Sequence, residues 1–136
     1  MDNKNIVRIE DVTVEISNQK YTDIFDINID IKRGEFFGLC ATRNSGAKTF
    51  CLLINGLAPH ATGGVMSGHV YVNGLDTREN PPRKLAGQVG IVFDDPEGQF
   101  LGLTVEDHVS FGPENLNLPI LEIQERVTWA INSVGM

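Results

Sequence analysis

The stretch that decides the fold reads Phe36-Phe37-Gly38-Leu39-Cys40-Ala41-Thr42-Arg43-Asn44-Ser45-Gly46-Ala47-Lys48-Thr49-Phe50-Cys51-Leu52-Leu53-Ile54-Asn55-Gly56-Leu57. Phe36 to Cys40 is a short, nearly continuous apolar run, which suits a strand buried on both faces. Ala41 to Gly46 is small and polar, as a loop should be. Ala47 to Leu57 is apolar with no breaker until Gly56, so it predicts a helix with a glycine stop. Strand, small polar loop and helix in that order form the layout of a phosphate-binding loop, whose backbone N–H groups turn inward while the helix N-terminus faces the anion. The usual pattern there is G-x-x-x-x-G-K-[ST], with lysine on the outer phosphates and the hydroxyl on magnesium. Counted without gaps, Ala41 holds the first glycine position, Gly46 the second, Ala47 the lysine position and Lys48 the hydroxyl position. A slip of one residue restores Lys48-Thr49 as lysine and hydroxyl, but then Thr42 and Ala47 replace the glycines. Neither register is whole, and a plain strand–turn–helix corner that carries a lysine is the competing reading.

Toward the N-terminus, residues 6–16 alternate and are rich in β-branched types, giving one strand or two short ones. Ser17 to Asp23 is a polar turn. Ile24 to Ile31 has period-two alternation with its acids facing water, the mark of a half-buried antiparallel strand. Lys32-Arg33-Gly34-Glu35 is a tight turn. Toward the C-terminus, Gly63 to Gly68 reads as a loop, His69 to Val72 as a strand and Asn73-Gly74 as a turn. Pro81-Pro82 excludes regular structure locally, and Val89 to Phe93 reads as a second strand buried on both faces. Ile120, Ile123, Val127, Ala130, Ile131 and Val134 mark one face of a helix preceded by Pro119 and stopped by Gly135. The whole points to the α/β class.

At 136 residues the chain is the length of one ordinary domain. No apolar run approaches the roughly 20 residues that span a bilayer, and the N-terminus lacks the charged-then-apolar layout of a secretory signal. Eleven basic against eighteen acidic residues give a net charge of −7, which disfavours nucleic acid as a partner. A cytoplasmic soluble domain is the expectation. Cys40 and Cys51 show neither disulfide nor zinc spacing and read as small apolar fillers. Trp129 reads as packing, Arg78, Arg83 and Lys84 as a solvated loop, and His60, His69 and His108 as surface residues of loops or strands. No paired-carboxylate, Ser/His/Asp or Cys/His constellation stands out.

A colinear series of segments changes the weight of the loop. It includes Arg33-Gly34-Glu35, Asn55-Gly56-Leu57, Pro59-His60, Gly63-Gly64 and Ser67-Gly68. It continues through Val72-Asn73-Gly74-Leu75-Asp76-Thr77, Val89-Gly90-Ile91-Val92-Phe93 and Pro96-Glu97-Gly98-Gln99. Thr104-Val105-Glu106, Phe111-Gly112-Pro113-Glu114-Asn115-Leu116 and Leu118-Pro119 complete it. In this order and spacing, residues 6–136 resemble the ATP-binding subunits of ABC transporters, in particular those of the energy-coupling-factor importers of vitamins or metal ions. The resemblance implies a P-loop nucleotide hydrolase core with an N-terminal antiparallel β-subdomain over about 1–93. A glutamine-loop region and the start of a helical subdomain, within which the chain is truncated, would occupy about 94–136.

The resemblance also implies site residues and partners. Ala41, Thr42, Arg43, Asn44, Ser45, Gly46, Ala47, Lys48 and Thr49 would form the nucleotide loop, with ATP and Mg²⁺ as cofactors. The distance back from Asn55-Gly56-Leu57 puts Ala47 at the family's lysine position. Loss of one charge-assisted hydrogen bond there costs about 1.5–3 kcal/mol. The family's adenine-stacking aromatic falls at Ile16, with Tyr21 the nearest aromatic in sequence. Asp94 takes the place of the glutamine that senses the γ-phosphate, Gln99 matches a second family glutamine, and Thr49 and Asp94 are the candidate metal ligands. Reading Ile91 to Asp95 as the magnesium-holding acid motif conflicts with the glutamine-loop match after it. No signature sequence, later Asp-Glu strand or switch histidine is present up to Met136. The expected function is therefore the ATP-binding, energy-coupling component of an importer, hydrolysis-incompetent as this chain alone. The alternative is a non-catalytic docking module or a truncated remnant. The implied partners are a transmembrane subunit docking near residues 94–119 and a second ATPase subunit. The implied location is the cytoplasmic face of the cell membrane, held there through that partner.

Overall fold

The structure, a computed structural model, describes residues 4–17 and 21–136, so the first residues and the middle of the turn expected at Ser17–Asp23 lie outside the described residues. The chain divides into two compact units, Met1–Ile91 and Val92–Met136.

The first unit is built on four antiparallel strands: β1 (Asn5–Glu15), β2 (Ile24–Lys32), β3 (Val65–Val72) and β4 (Leu75–Asp76). Their order across the sheet is β2-β1-β3-β4. The central β1 pairs Val7 with Ile31 and Val72, and Ile9 with Ile29 and Val70. Because side chains alternate across a pleated sheet, Val7, Ile9, Val12, Val14, Val70 and Val72 are buried on one face, while Arg8, Glu10, His69 and Tyr71 carry the other. Helix α1 (Ala47–Ile54) brings Phe50, Leu52 and Leu53 to the same core. Burying a side chain of the Phe50 or Leu53 type contributes about 1.5–3 kcal/mol. A helical turn α2 (Leu57–His60) and another, α3 (Pro82–Leu85), come after it in the chain.

Glycine at 68 is demanded by the sheet. Val65 to Gly68 belongs to β3, which corrects the loop expected at Gly63–Gly68. At Asp11 (φ 49°) the β1 ladder bulges, and a Cβ on Gly68 would run into the carbonyl oxygens of Glu10 and Asp11. The glycine thus marks close backbone approach at a bulge and not a chain break. Pro81-Pro82 likewise does not exclude order, because Pro82 opens α3, at a position that needs no N–H.

The two strands expected to be buried on both faces do not form. Residues 36–40 and 89–93 are outside any strand. Phe36 is fully exposed, and Leu39, Val92 and Phe93 are exposed too. Apolar content decides what can be buried but not what pairs. A strand buried on both faces needs ladder partners and a layer over each face, and an isolated pair of strands is at best marginal. In this unit α1 covers the one apolar face of an antiparallel sheet, and only Val89 and Ile91 of the second segment pack partly against the core. The fold is mixed α/β with an antiparallel sheet. Cys40 and Cys51 are both exposed, so neither is a buried filler.

The second unit holds a 3₁₀ turn (Glu97–Gln99), α4 (Val105–Asn115) and α5 (Ile120–Ser133). A capping box starts α4: the Asp107 amide donates to Thr104 Oγ1 at 3.1 Å, and the Thr104 amide donates to Asp107 Oδ2 at 3.1 Å. This helix carries His108, corrected from the expected loop or strand. Pro119 caps α5, and Gly135 (φ 77°) closes it, with the Met136 amide on the Ile131 carbonyl at 3.2 Å. Ile123 and Val127 are buried, whereas Trp129 is 73% exposed, which corrects its reading as a packing residue.

Candidate functional site

The loop before α1 owes its shape to two left-handed residues. The Ser45 amide and hydroxyl both donate to the Thr42 carbonyl, at 3.3 and 2.7 Å. Asn44 (φ 61°) and Gly46 (φ 88°) then turn the chain into the helix. Asparagine tolerates this region better than most residues, but Gly46 is also confined by space. A Cβ there would strike Ile24 Cγ2 and lie 3.3 Å from the Asp23 carbonyl oxygen. The loop is thus pinned to the start of β2. No side chain caps α1, and no acid occupies its first turn. The first intrahelical bond runs from the Phe50 amide to the Gly46 carbonyl at 2.8 Å, so the amides of Ala47, Lys48 and Thr49 precede the ladder. Such an end is electropositive, about half an elementary charge.

The side chains of the loop end in unequal places. Lys48 is half-buried, with its ammonium 5.7 Å from the centre of the Tyr21 ring. Thr49 is fully buried, and its hydroxyl donates to the Thr22 carbonyl at 2.7 Å. Ala47 is half-buried, and Ala41, Thr42, Arg43, Asn44 and Ser45 are exposed. Ile16 packs against the hydrophobic core, and its amide donates to Asp23 Oδ1 at 2.7 Å. Tyr21, Thr22, Lys48 and Thr49 are therefore brought together, an association that no spacing in the sequence announces. Backbone amides and a lysine fit a phosphate group. A magnesium ion fits less well, because the Thr49 hydroxyl, whose oxygen keeps lone pairs for a metal, is fully buried. Among the described residues, no group of three or more His, Cys, Asp or Glu is arranged to hold a metal.

The remaining candidates belong to the second unit. Asp94 is exposed. Its neighbour Asp95 organises the next turn, accepting from the Gly98 amide at 3.1 Å through Oδ1 and from Gln99 Nε2 at 3.0 Å through its carbonyl. Gln99 thus has a local structural partner.

A second polar cluster, missed in the sequence, lies on the outer face of the sheet. His69 Nδ1 is 2.7 Å from Asp76 Oδ2, His69 and Tyr71 stack at 5.6 Å, and the Arg8 guanidinium lies 4.8 Å over Tyr71. Arg78, expected in a solvated loop, closes the far end of this stack at 3.1 Å from His69. The pairing of Arg8 with Tyr71 across β1 and β3 depends on register, which a single sequence does not reveal. Both ends of the stack are closed by guanidinium groups, so the cluster fastens β3 to the β4 corner. His60 is likewise structural, with Nε2 3.0 Å from the Thr77 carbonyl.

No family model matches the chain. It is 40% identical over 132 residues to a protein of Pyrococcus abyssi provisionally named an ABC transporter ATP-binding protein, covering 97% of this chain and 47% of that one. A Pyrococcus horikoshii protein with the same provisional name is 39% identical over 97% of this chain and 46% of its own length. The energy-coupling factor transporter ATP-binding protein EcfA of Methanosarcina acetivorans is 45% identical over 82% of this chain and 39% of its own length. The chain is thus similar, along most of its length, to ABC transporter ATP-binding proteins, and spans about half or less of theirs. Among the described residues, no helix is long and apolar enough to cross a membrane.

Proposed function

We propose that the chain supplies the nucleotide-facing loop of an energy-coupling component of an ABC importer, of the energy-coupling-factor type, and that it binds ATP weakly without hydrolysing it. The reading rests on the entry to α1. Two left-handed residues deliver a short loop onto an uncapped, acid-free N-terminus of an eight-residue helix. Backbone amides, not side chains, carry recognition here. In ATP-binding loops of the usual pattern an ammonium opposes phosphate charge. Here the Ala47 methyl takes that place, and Lys48 rests on Tyr21 within reach of a bound phosphate only by reorientation. Thr49 is fully buried and would have to become accessible before its hydroxyl oxygen could hold magnesium. On this reading the importer carries a vitamin or a metal ion, and a transmembrane subunit docks near residues 94–119. A second ATPase subunit pairs with this one, and the complex sits at the cytoplasmic face of the membrane.

The full burial of Thr49 favours a second reading, in which the unit keeps the fold and docks its partners but ignores nucleotide. One experiment separates the two. In ¹⁵N amide spectra with and without magnesium-ATP, weak binding predicts shifts confined to residues 41–49. Dispersed peaks that stay still at millimolar nucleotide leave only the docking module.

A further inference from the structure

We propose that Asn73 is a site of spontaneous covalent modification, conversion to aspartate or isoaspartate, and that a hydrogen-bond chain from Arg33 through Asn73 to Gln88 holds it closed in the folded corner. Asparagine precedes glycine at two places in the chain, 55–56 and 73–74. Glycine has no side chain to shield its amide nitrogen, so at either place that nitrogen can attack the asparagine Cγ. The new N–Cγ bond closes a five-membered imide while the Cγ–Nδ2 bond breaks, and ammonia leaves with the proton that the glycine amide gives up. Water then opens the imide at one of its two carbonyls. Opening on one side restores the main chain with aspartate, and opening on the other routes the main chain through Cβ as isoaspartate. Water is the only co-reactant, and nothing is oxidised or reduced.

Ring closure needs the Gly74 nitrogen on the same side of the Cα–C bond as the Asn73 Cβ. Asn73 (φ 49°) and Gly74 (φ 82°) form the two-residue turn between β3 and β4, with Val72 paired to Leu75. Two positive φ angles in such a loop make the I′ turn, whose first central residue has a small positive ψ. That ψ sets the nitrogen almost opposite Cβ, so the intact turn does not react. Three bonds hold it there. The Asn73 amide donates to the Ile6 carbonyl at 2.8 Å, Arg33 Nη2 donates to Asn73 Oδ1 at 2.8 Å, and Asn73 Nδ2 donates to Gln88 Oε1 at 2.8 Å. Arginine has no acceptor, which fixes the sense of this chain. Asn55 is blocked as well, with ψ 3°, but its release costs far more. It is buried, its Oδ1 accepts from the Leu57 amide at 3.0 Å, and Gly56 is pressed against the fully buried Leu85. Freeing Asn55 opens the core, whereas Asn73 and Gly74 are exposed and β4 is a two-residue edge strand. Local opening at such an edge is the cheaper event. In the folded chain Asn73 therefore converts and Asn55 does not. Aspartate at 73 keeps Arg33 as its partner. Isoaspartate lengthens the main chain, no longer fits between Val72 and Leu75, and releases the corner.

The test incubates the full chain at mildly alkaline pH, folded and in urea, and follows each asparagine by peptide mapping with mass spectrometry. Ion exchange gives a second readout, since each conversion takes the net charge from −7 to −8. In the folded chain conversion should be confined to Asn73. In urea both sites should convert, Asn73 about tenfold or more faster than when folded, because the opening step is removed. Gln88→Ala cuts one tie and should speed conversion of folded Asn73 about twofold to tenfold, the worth of one hydrogen bond, with Asn55 unchanged. Equal rates at Asn73 in the folded and unfolded chain would mean that the corner does not gate the reaction, and would overturn the proposal. Conversion of Asn55 as fast as Asn73 in the folded chain would make the opening global and equally overturn it. So would an unchanged rate in Gln88→Ala, or no conversion of Asn73 in urea. Far-UV circular dichroism checks that Gln88→Ala keeps its fold, and the comparison of folded with unfolded chain needs no variant.

Discussion

Replacing Gly46 by alanine tests the confinement of the loop entry by β2. Two costs act together. At φ 88° an L residue occupies the left-handed region, which costs about 1–2 kcal/mol. The new Cβ would also strike Ile24 Cγ2 and crowd the Asp23 carbonyl at 3.3 Å. Isoleucine is β-branched and stiff about χ1, so the clash must be relieved by moving backbone, at about 1–3 kcal/mol. The reduced freedom of the unfolded chain returns about 0.4–1 kcal/mol. The net loss is therefore about 2–4 kcal/mol. Gly34→Ala is the control: its φ is 79°, yet nothing lies within 4 Å of the new atom. It should lose only about 1 kcal/mol. Urea unfolding followed by far-UV circular dichroism in the strand region reads the first unit, while Trp129 emission reads the second. If the two variants lost the same stability within about 0.5 kcal/mol, the steric confinement of Gly46 by β2 would be wrong.

Other substitutions address the remaining links. Thr49→Val should destabilise the first unit by about 1–3 kcal/mol, because the part-buried Thr22 carbonyl loses its donor; Thr49→Ser should recover most of this in the same urea experiment. Thr104→Ala removes the capping box of α4 and should cost about 1 kcal/mol, seen as lost helical signal at 222 nm and earlier melting. Combining Ala47→Lys with Lys48→Thr installs a lysine and hydroxyl in the ungapped register. Calorimetric titration should then find ATP affinity raised about tenfold to a hundredfold, the worth of one charge-assisted bond. No gain would show that the ungapped register is not the operating one.

Local signals in the sequence are enough for the elements that local physics controls. Alternation places β1 and β2, Gly56 and Gly135 sit at helix ends, and Ile123 and Val127 follow the helical period to the buried face of α5. What is not legible depends on distant partners. Residues 36–40 and 89–93 have the composition of doubly buried strands, but composition cannot supply the neighbours that a ladder requires. Gly68 looks like a breaker because its reason, two carbonyls of β1 pressed against it, lies more than fifty residues away in sequence. Helix α4 is marked locally, since Thr104-Val105-Glu106-Asp107 is a capping-box pattern; Gly112 and Pro113 near its end hide it. The meeting of Lys48 with Tyr21 has no local sign. It results from docking of α1 on the start of β2, as does the engagement of Thr49 with Thr22.

These placements set what the loop can offer a nucleotide. A triphosphate brings several negative charges, and the first unit as a whole has no surplus of positive charge to meet them. Its local resources are the partial charge of the α1 N-terminus, the amides ahead of the helical ladder, Arg43 in the exposed loop and Lys48 beside it. The Thr49 hydroxyl contributes nothing to a metal while it is fully buried. On the proposed reading, magnesium would therefore arrive as part of the nucleotide and owe little to this chain. Recognition that rests on amides depends on backbone shape, and the shape depends on Asn44 and Gly46 holding left-handed conformations against β2. On the proposed reading, the degenerate side-chain pattern and this loop geometry are then compatible. On that reading the side chains expected to hold metal and to position a γ-phosphate are replaced, while the turn at Asn44 and Gly46 is held by its contacts with the start of β2.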